Sequence, residues 1–313
     1  MPHVVIAGKI HEDGVALLRA QPDITLDVVS EVTRAAYAPF MSKADALLIR
    51  TQPCDAAIIA SAPHLKIVSR HGVGYDAVDV AALNARKIPL AIVGDVNSRA
   101  VAEHTLALML AAARRVVAHD AASRNGNWNE RNRFDATELD GKTLLIMGYG
   151  RIGRRVGDLA RAFGMDVIAY DPFITDGSTV SDLNTALARA DYVSLHMPAA
   201  KGAVIGAAEL ALMKPSAIII NAARGGLVDE VALDKVLRAR KIYAAALDVL
   251  VDEPPQPDHP LLSNPHVTIS PHNAGLTQEC ARRMAIAAAQ NIIDCFAGKL
   301  NPKLTVNAKE IGL

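Results

Sequence analysis

Three ionisable residues follow closely on β-branched runs, where a parallel α/β sheet presents its ligands. Arg224 comes after residues 217–220 in Asn221-Ala222-Ala223-Arg224-Gly225-Gly226. A planar guanidinium at such a turn can clamp a carboxylate through two parallel hydrogen bonds. Glu253 lies where residues 243–247 pass into the proline-stiffened stretch Asp252-Glu253-Pro254-Pro255, and His272 closes the run 267–270 in Ser270-Pro271-His272-Asn273-Ala274-Gly275. Each alone has a bland explanation: an arginine solvated in a glycine turn, an exposed loop carboxylate, a satisfied turn histidine. Together they supply what reduction of a 2-keto acid needs. Arg224 would anchor the carboxylate and polarise the carbonyl. His272 would deliver a proton to the developing alkoxide, and Glu253 would orient the ring and stabilise its imidazolium form.

The hydride source such chemistry requires has its own signature. Residues 144–147 run into Gly148-Tyr149-Gly150-Arg151-Ile152-Gly153, followed by the helical stretch 154–163. In this pattern Gly148 permits the tight turn, Gly150 lets the backbone approach a pyrophosphate, and Gly153 lets helix and strand pack closely. A second strand, 166–170, ends at Asp171, 18 residues beyond Gly153. A carboxylate there accepts from both adenosine ribose hydroxyls and repels a 2′-phosphate. Pro172-Phe173-Ile174 offers no cation to receive one. NAD is favoured over NADP; a flavin, or a turn of this shape without a ligand, stays open on the motif alone.

The elements that must position these residues alternate throughout the chain. Short β-branched runs at 4–7, 25–29, 46–49, 66–69 and 91–93 alternate with helical stretches such as 12–20, 55–60 and 80–86. A second series follows at 144–147, 166–170, 192–195, 217–220, 243–247 and 267–270. That alternation predicts parallel sheets covered on both faces. Between the series, residues 99 to about 120 read as one long Ala/Leu-rich helix, apolar over much of its circumference and so buried on several sides. The last helix, 278–296, has no strand after it in the second series and is expected to cross back to the first domain. With 313 residues, about two domains fit the length.

Composition narrows the class. Thirty-three basic residues balance 33 acidic ones, which argues against a nucleic-acid surface or a polybasic membrane patch. Three scattered cysteines make neither a disulfide framework nor a zinc knuckle, so no metal is expected. The first nine residues hold only a four-residue apolar run, too brief for a secretory signal. No apolar stretch approaches the length of a membrane span. A cytoplasmic protein is expected.

Along essentially its whole length the chain resembles the D-isomer-specific 2-hydroxyacid dehydrogenases, and within them the phosphoglycerate dehydrogenase-like branch. Six ordered motifs carry the resemblance: Ser69-Arg70-His71-Gly72-Val73-Gly74-Tyr75-Asp76, Asn97-Ser98-Arg99-Ala100-Val101-Ala102-Glu103-His104, the glycine turn, 221–225, 248–254 and 271–275. It implies two doubly wound parallel-sheet domains, a Rossmann NAD-binding domain over 99–281 and a discontinuous flavodoxin-like substrate domain over 1–98 and 282–313, hinged near Ser98 and 279–281. It implies that Arg224, Glu253 and His272 are catalytic. Around NAD it sets Val73, Arg151, Ile152, Asp171, Met197, Pro198, Ala222, Ala223, Asp248 and Gly275 beside the three glycines, with Asp248 on the nicotinamide carboxamide. Backbone amides at Gly72, Val73 and Gly74 would meet the substrate carboxylate, and Arg50 and Arg70 its far end. A dianionic or phosphorylated acid is therefore a live candidate beside hydroxypyruvate and glyoxylate. Formate dehydrogenases of this group carry a Gln in the place of Glu253, so a carboxylate favours hydroxy-acid chemistry.

The resemblance also implies a homodimer, with 99–120 in the interface core and Trp128 to Phe134 in an arm. Ending at Leu313, the sequence is expected to be a short form without the regulatory domain of serine-regulated enzymes. His104 reads as a core or interface residue, His196 as a packing or backbone-bonded residue, and His71 as a neighbour of the glycines at 72 and 74 that could shape specificity. A non-enzymatic NAD-sensing corepressor on the same fold is the competing class.

Overall fold

The computed structural model describes residues 1–31 and 33–313. It divides into two compact units: residues 1–97 with 276–313, and residues 98–275. The second boundary thus precedes the helix Gln278–Phe296, which belongs whole to the first unit; the expected boundary lies at 281–282, inside its first turn.

In the first unit, β1 (His3–Ala7), β2 (Thr25–Val29), β3 (Ala46–Ile49), β4 (Ile67–Arg70) and β5 (Leu90–Ala91) form one sheet in the order β2-β1-β3-β4-β5. Every pairing within it is parallel. This is the flavodoxin-like order, with its switch point between β1 and β3. β3 is buried along its length, as a strand covered on both faces must be. The helix Gln278–Phe296 starts at an N-cap Thr277, whose hydroxyl accepts from the amide of Cys280. It is tied back to this sheet by the hydroxyl of Ser69, which donates to the carbonyl of Ala288 at 2.8 Å. The chain end closes the sheet edge: Asn307 Oδ1 accepts from the amide of Leu90 at 2.8 Å, and Ala91 bridges Thr305.

The second unit holds six strands, β6 (Thr143–Met147), β7 (Asp166–Tyr170), β8 (Tyr192–Leu195), β9 (Ile218–Asn221), β10 (Ala244–Leu247) and β11 (Val267–Ile269). All their pairings are parallel, in the order β7-β6-β8-β9-β10-β11. Beyond β7 a parallel bridge joins Tyr170 to Val180, and Val180 N donates to Ala169 O at 2.8 Å. That bridge stands where the dinucleotide-binding fold has its third, outermost strand, which here shrinks to one residue. One apolar core lies on each sheet face, so β9 is buried on both sides. Each fully buried Ile there contributes roughly 1.5–3 kcal/mol relative to exposure.

The expected long helix is two. Ser98–Ala113 packs Ala102, Leu106, Met109 and Ala113 into one of these cores with Val156 and Ala160. Arg115 then turns left-handed (φ +51°), and Val116–Arg124 starts anew. The guanidinium of Arg115 pairs with Asp135 at 3.2 Å, a contact that holds the break. Among the described residues no helix is long and apolar enough to cross a membrane, and all three cysteines are free thiols.

Candidate active site

Strand register sets the site. Tyr170, Met147, Leu195, Asn221, Leu247 and Ile269 are mutual partners across the second sheet, so its six strands finish level at their carboxyl ends. The next residue on each strand is Asp171, Gly148, His196, Ala222, Asp248 and Ser270. One rim therefore presents the glycine turn, the acid after β7, and the three loops that carry Arg224, Glu253 and His272. Arg224 and His272 each stand three residues past this level row, on strands flanking β10.

The glycine turn fits a dinucleotide phosphate. Gly148 has φ +89°, and a Cβ on it would stand 2.7 Å from the His196 backbone. A Cβ on Gly153 would stand 2.1 Å from Gly148 O, so only glycine lets the helix Arg151–Ala162 come this close. A Cβ on Gly150 would meet nothing within 4 Å. Gly150 is the N-cap and brings no side chain of its own to the first-turn amides, which with the helix dipole suit an anion. Asp171 sits beside the turn, its Oδ2 accepting from Tyr149 N at 2.9 Å and its Oδ1 from Phe173 N at 3.0 Å. Ile152 packs against Val101, Ala222 and Ala274, an apolar patch on the same rim. Met197 is half-buried and Pro198 exposed just after His196.

His272 and Glu253 are brought together: Nδ1 stands 2.5 Å from Oε2, and half of the imidazole side chain remains exposed. The other carboxylate oxygen of Glu253 accepts from Leu250 N at 3.0 Å, which fixes the loop. Glu230 braces it further, accepting from Val251 N at 2.7 Å while its second oxygen meets His259 Nε2 at 3.0 Å. His272 has φ +50°, a conformation uncommon outside glycine. With Nδ1 committed to Glu253, Nε2 is the ring atom left to face a substrate.

Arg224 belongs to a turn built by Asn221, whose side-chain amide donates to Arg224 O at 2.8 Å and whose Oδ1 accepts from Ala223 N at 3.0 Å. The Arg224 guanidinium donates to Ala223 O at 2.6 Å. A Cβ on Gly225 would stand 1.9 Å from Leu250 O, so the Arg224 turn and the Glu253 loop press together at a point only glycine allows.

Asp248 is buried and engaged within its own unit. Its Oδ1 accepts from Ser270 Oγ at 2.5 Å and Asn273 N at 3.0 Å, and its Oδ2 from Ala274 N at 3.0 Å. Ser270 and His104 are the residues that sequence reasoning missed here. His104 Nε2 lies 2.9 Å from Ser270 Oγ, across 166 positions of sequence, and no spacing rule marks that pair.

The first unit is a separate body with its own cluster. Arg50 follows β3 and Arg70 ends β4, where Arg70 donates to His71 O at 2.5 Å and Arg50 to Lys9 O at 3.4 Å. Gly72 has φ +148°, and a Cβ there would stand 2.9 Å from the Arg70 guanidinium. Val73 and Gly74 are half-buried.

Two histidines are held neutral. Burial pushes His71 down to about 4, and the positive charges of Arg70 and Arg50 add to it. Burial likewise pushes His196 down to about 3, and Ser194 Oγ meets its Nε2 at 2.8 Å. The unfolded chain protonates both near 6.5, so between that value and about 4 it binds more protons than the fold does. Stability is therefore complete above about pH 6.5 and declines on acidification by up to roughly 1.4 kcal/mol per pH unit for each histidine. Urea midpoints measured from pH 7 to pH 4.5 should show this slope, reduced in His71→Gln; a flat profile contradicts the two neutral rings.

Among the described residues no group of three His, Cys, Asp or Glu side chains is arranged to hold a metal.

Comparison with known proteins gives the family. The family model described as "D-isomer specific 2-hydroxyacid dehydrogenase, NAD binding domain" matches residues 106–274. A D-3-phosphoglycerate dehydrogenase of Methanocaldococcus jannaschii is 38% identical over 96% of this chain, and the match covers 58% of that protein. The chain thus spans little more than half the length of the first such relatives it matches. A glyoxylate reductase of Aeropyrum pernix is 37% identical over 97% of this chain and 95% of its own length. Among solved structures, D-lactate dehydrogenase of Aquifex aeolicus, complexed with NAD and lactic acid, superposes with a TM-score of 0.88 at 26% identity, covering 97% of this chain and 98% of the other. With the segment that carries the glycine turn matched as an NAD binding domain, and a relative matched almost end to end, the chain belongs to the D-isomer-specific 2-hydroxyacid dehydrogenase family.

Proposed function

We propose that the protein is an NAD-dependent oxidoreductase that interconverts a small D-2-hydroxy acid and its 2-keto acid. The observation that carries this reading is the 2.5 Å His272–Glu253 pair on the rim that also bears the dinucleotide turn. When bound, the nicotinamide supplies the hydride in reduction and takes it up in oxidation. In reduction, Arg224 binds the substrate carboxylate and polarises the keto group. His272 gives its Nε2 proton to the oxygen as negative charge develops there, and the ionised Glu253 at Nδ1 balances the positive ring beforehand. In oxidation, neutral Nε2 takes the hydroxyl proton. On the first unit, the Val73 and Gly74 amides and the Arg50 and Arg70 guanidinium groups are the proposed anion-binding groups. Two guanidinium groups at neighbouring strand ends favour an acid with a second anionic group, 3-phosphoglycerate above hydroxypyruvate or glyoxylate.

Turnover with reduced NAD across phosphorylated, sulfonated and plain C2 to C6 keto acids, followed by nicotinamide absorbance, tests the reading. A dianionic acid should give the highest kcat/KM. No turnover with any acid, together with retained NAD binding, rejects the enzyme in favour of an NAD sensor.

Asp171 is proposed to read the adenosine ribose. Asp171→Ala is expected to lower the preference for NAD over NADP, as the ratio of kcat/KM values, by about tenfold or more, in line with a lost charge-assisted hydrogen bond of roughly 1.5–3 kcal/mol. An unchanged ratio removes Asp171 from that role.

A homodimer is part of the same proposal. Val116, Val117, Trp128 and Phe134 are exposed on the segment that follows the long helix, and apolar side chains of this size suit a two-fold interface. Free thiols at all three cysteines suit the cytoplasm.

A further inference from the structure

The turn that carries His272 is gripped by one residue. Asp248 O accepts from His272 N at 2.8 Å, and the Asp248 side chain accepts from the next two amides, Asn273 N and Ala274 N, both at 3.0 Å. Three consecutive main-chain donors thus end on a single residue, and between them they fix the left-handed backbone of His272 (φ +50°).

What orients that carboxylate comes from elsewhere in the unit. Ser270 Oγ lies 2.5 Å from Asp248 Oδ1, and His104 Nε2 lies 2.9 Å from Ser270 Oγ and 3.4 Å from the same Oδ1. Burial alone would raise the Asp248 pKa, yet contacts from His104, Ser270 and the two amides outweigh it and hold the carboxyl below its ordinary value, so it is ionised. An ionised carboxylate only accepts, and Ser270 has one hydroxyl proton, so that proton points to Asp248. Ser270 Oγ must then accept, and His104 Nε2 carries the hydrogen it offers. The chain of donors runs from the helix Ser98–Ala113 through Ser270 to Asp248 and so to the His272 turn.

We infer that His104 is a positioning residue for His272, acting through Ser270 and Asp248 to hold the imidazole where its Nε2 meets the substrate oxygen. The inference rests on the reading of His272 as proton donor given above. His104 does not touch the reacting atoms. It anchors the far end of a hydrogen-bond network whose near end sets a backbone torsion, and misplacement of a donor by about 1 Å can slow a reaction up to roughly a hundredfold.

The test compares His104→Phe, which keeps a ring but offers no donor, with His104→Gln, which restores an N–H. In His104→Phe, kcat should fall about tenfold, with KM for the acid and Kd for NADH each moving less than about twofold. His104→Gln should recover most of the loss. Ser270→Ala should reproduce the His104→Phe loss, and the double variant should be no worse than either single one, because both cut the same chain. The second readout does not need turnover: the imidazole nitrogen chemical shifts of His272, assigned by their disappearance in His272→Asn, should move in His104→Phe and return in His104→Gln. Wild-type kcat and unmoved shifts in His104→Phe overturn the inference, as does His104→Gln behaving like His104→Phe. If the wild-type protein turns over no acid, the enzyme reading fails, and the His272 shifts alone still decide whether His104 positions that ring. If His104→Phe does not fold, Ser270→Ala carries the same pair of readouts.

Discussion

His272→Asn is expected to lower kcat for keto-acid reduction by about a thousandfold, within the 10²–10⁴ range that a positioned general acid contributes, and to leave the Kd for NADH unchanged within about twofold. Asparagine is chosen because it tolerates the left-handed backbone of this position better than other side chains, so the turn keeps its shape. What the variant loses is the proton at Nε2. The Glu253 carboxylate, 2.5 Å from Nδ1, then faces an amide that cannot carry charge. A left-handed non-glycine residue costs about 1 kcal/mol or more, and three backbone bonds to Asp248 are spent holding it there. A residue with only a structural task at this turn would do better as glycine. His272→Gly should accordingly match or exceed wild-type stability in urea while being as inactive as His272→Asn. Stopped-flow and steady-state rates settle the matter: wild-type kcat in His272→Asn, on the best substrate of the panel, removes the imidazole from the chemistry.

The residues behind this prediction were legible in the sequence to different depths. Strands such as Ile218–Asn221 and Ala46–Ile49 could be read because a strand buried on both faces must be a continuous apolar run, and few other structures require one. The glycine turn could be read because its three glycines answer three separate steric demands, two of which show as sub-3 Å approaches at Gly148 and Gly153. His272 and Glu253 stood out as ionisable groups past strand ends, although nothing local says that they touch. The strand at Val180 was invisible, since a single bridging residue within Asp176-Gly177-Ser178-Thr179-Val180 carries no periodicity. The break at Arg115 was equally hidden. Neither glycine nor proline marks it, and the ion pair with Asp135 that stabilises it joins residues 20 positions apart in sequence. The role of His104 is hidden for the same reason: its partners lie on other elements, and helical spacing reports only burial. Local pattern therefore recovers the sheets and the turn chemistry, while contacts between distant side chains need coordinates.

Arg224→Lys, although it keeps the charge, is expected to lower kcat/KM for the keto acid by about a hundredfold, or about 2.8 kcal/mol at roughly 1.4 kcal/mol per factor of ten, with the larger share in KM. A lysine offers a point charge on a flexible stem and cannot present two parallel N–H groups to a carboxylate. It also cannot reproduce the hydrogen bond from the guanidinium to Ala223 O, which orients the side chain before substrate arrives. The backbone beneath should be unaffected, because the turn is held by Asn221 and by the glycine contact at Gly225 rather than by the arginine side chain. Arg224→Ala should go further and lose kcat as well, since no cation then stabilises the oxygen as charge builds on it. Guanidinium ion added to Arg224→Ala should restore part of kcat/KM, and added ammonium should restore much less. That contrast separates a bidentate clamp from a simple field effect, because a general field would be restored by either cation. A kcat/KM in Arg224→Lys equal to wild type would mean that the carboxylate is bound elsewhere, and would remove Arg224 from the clamp.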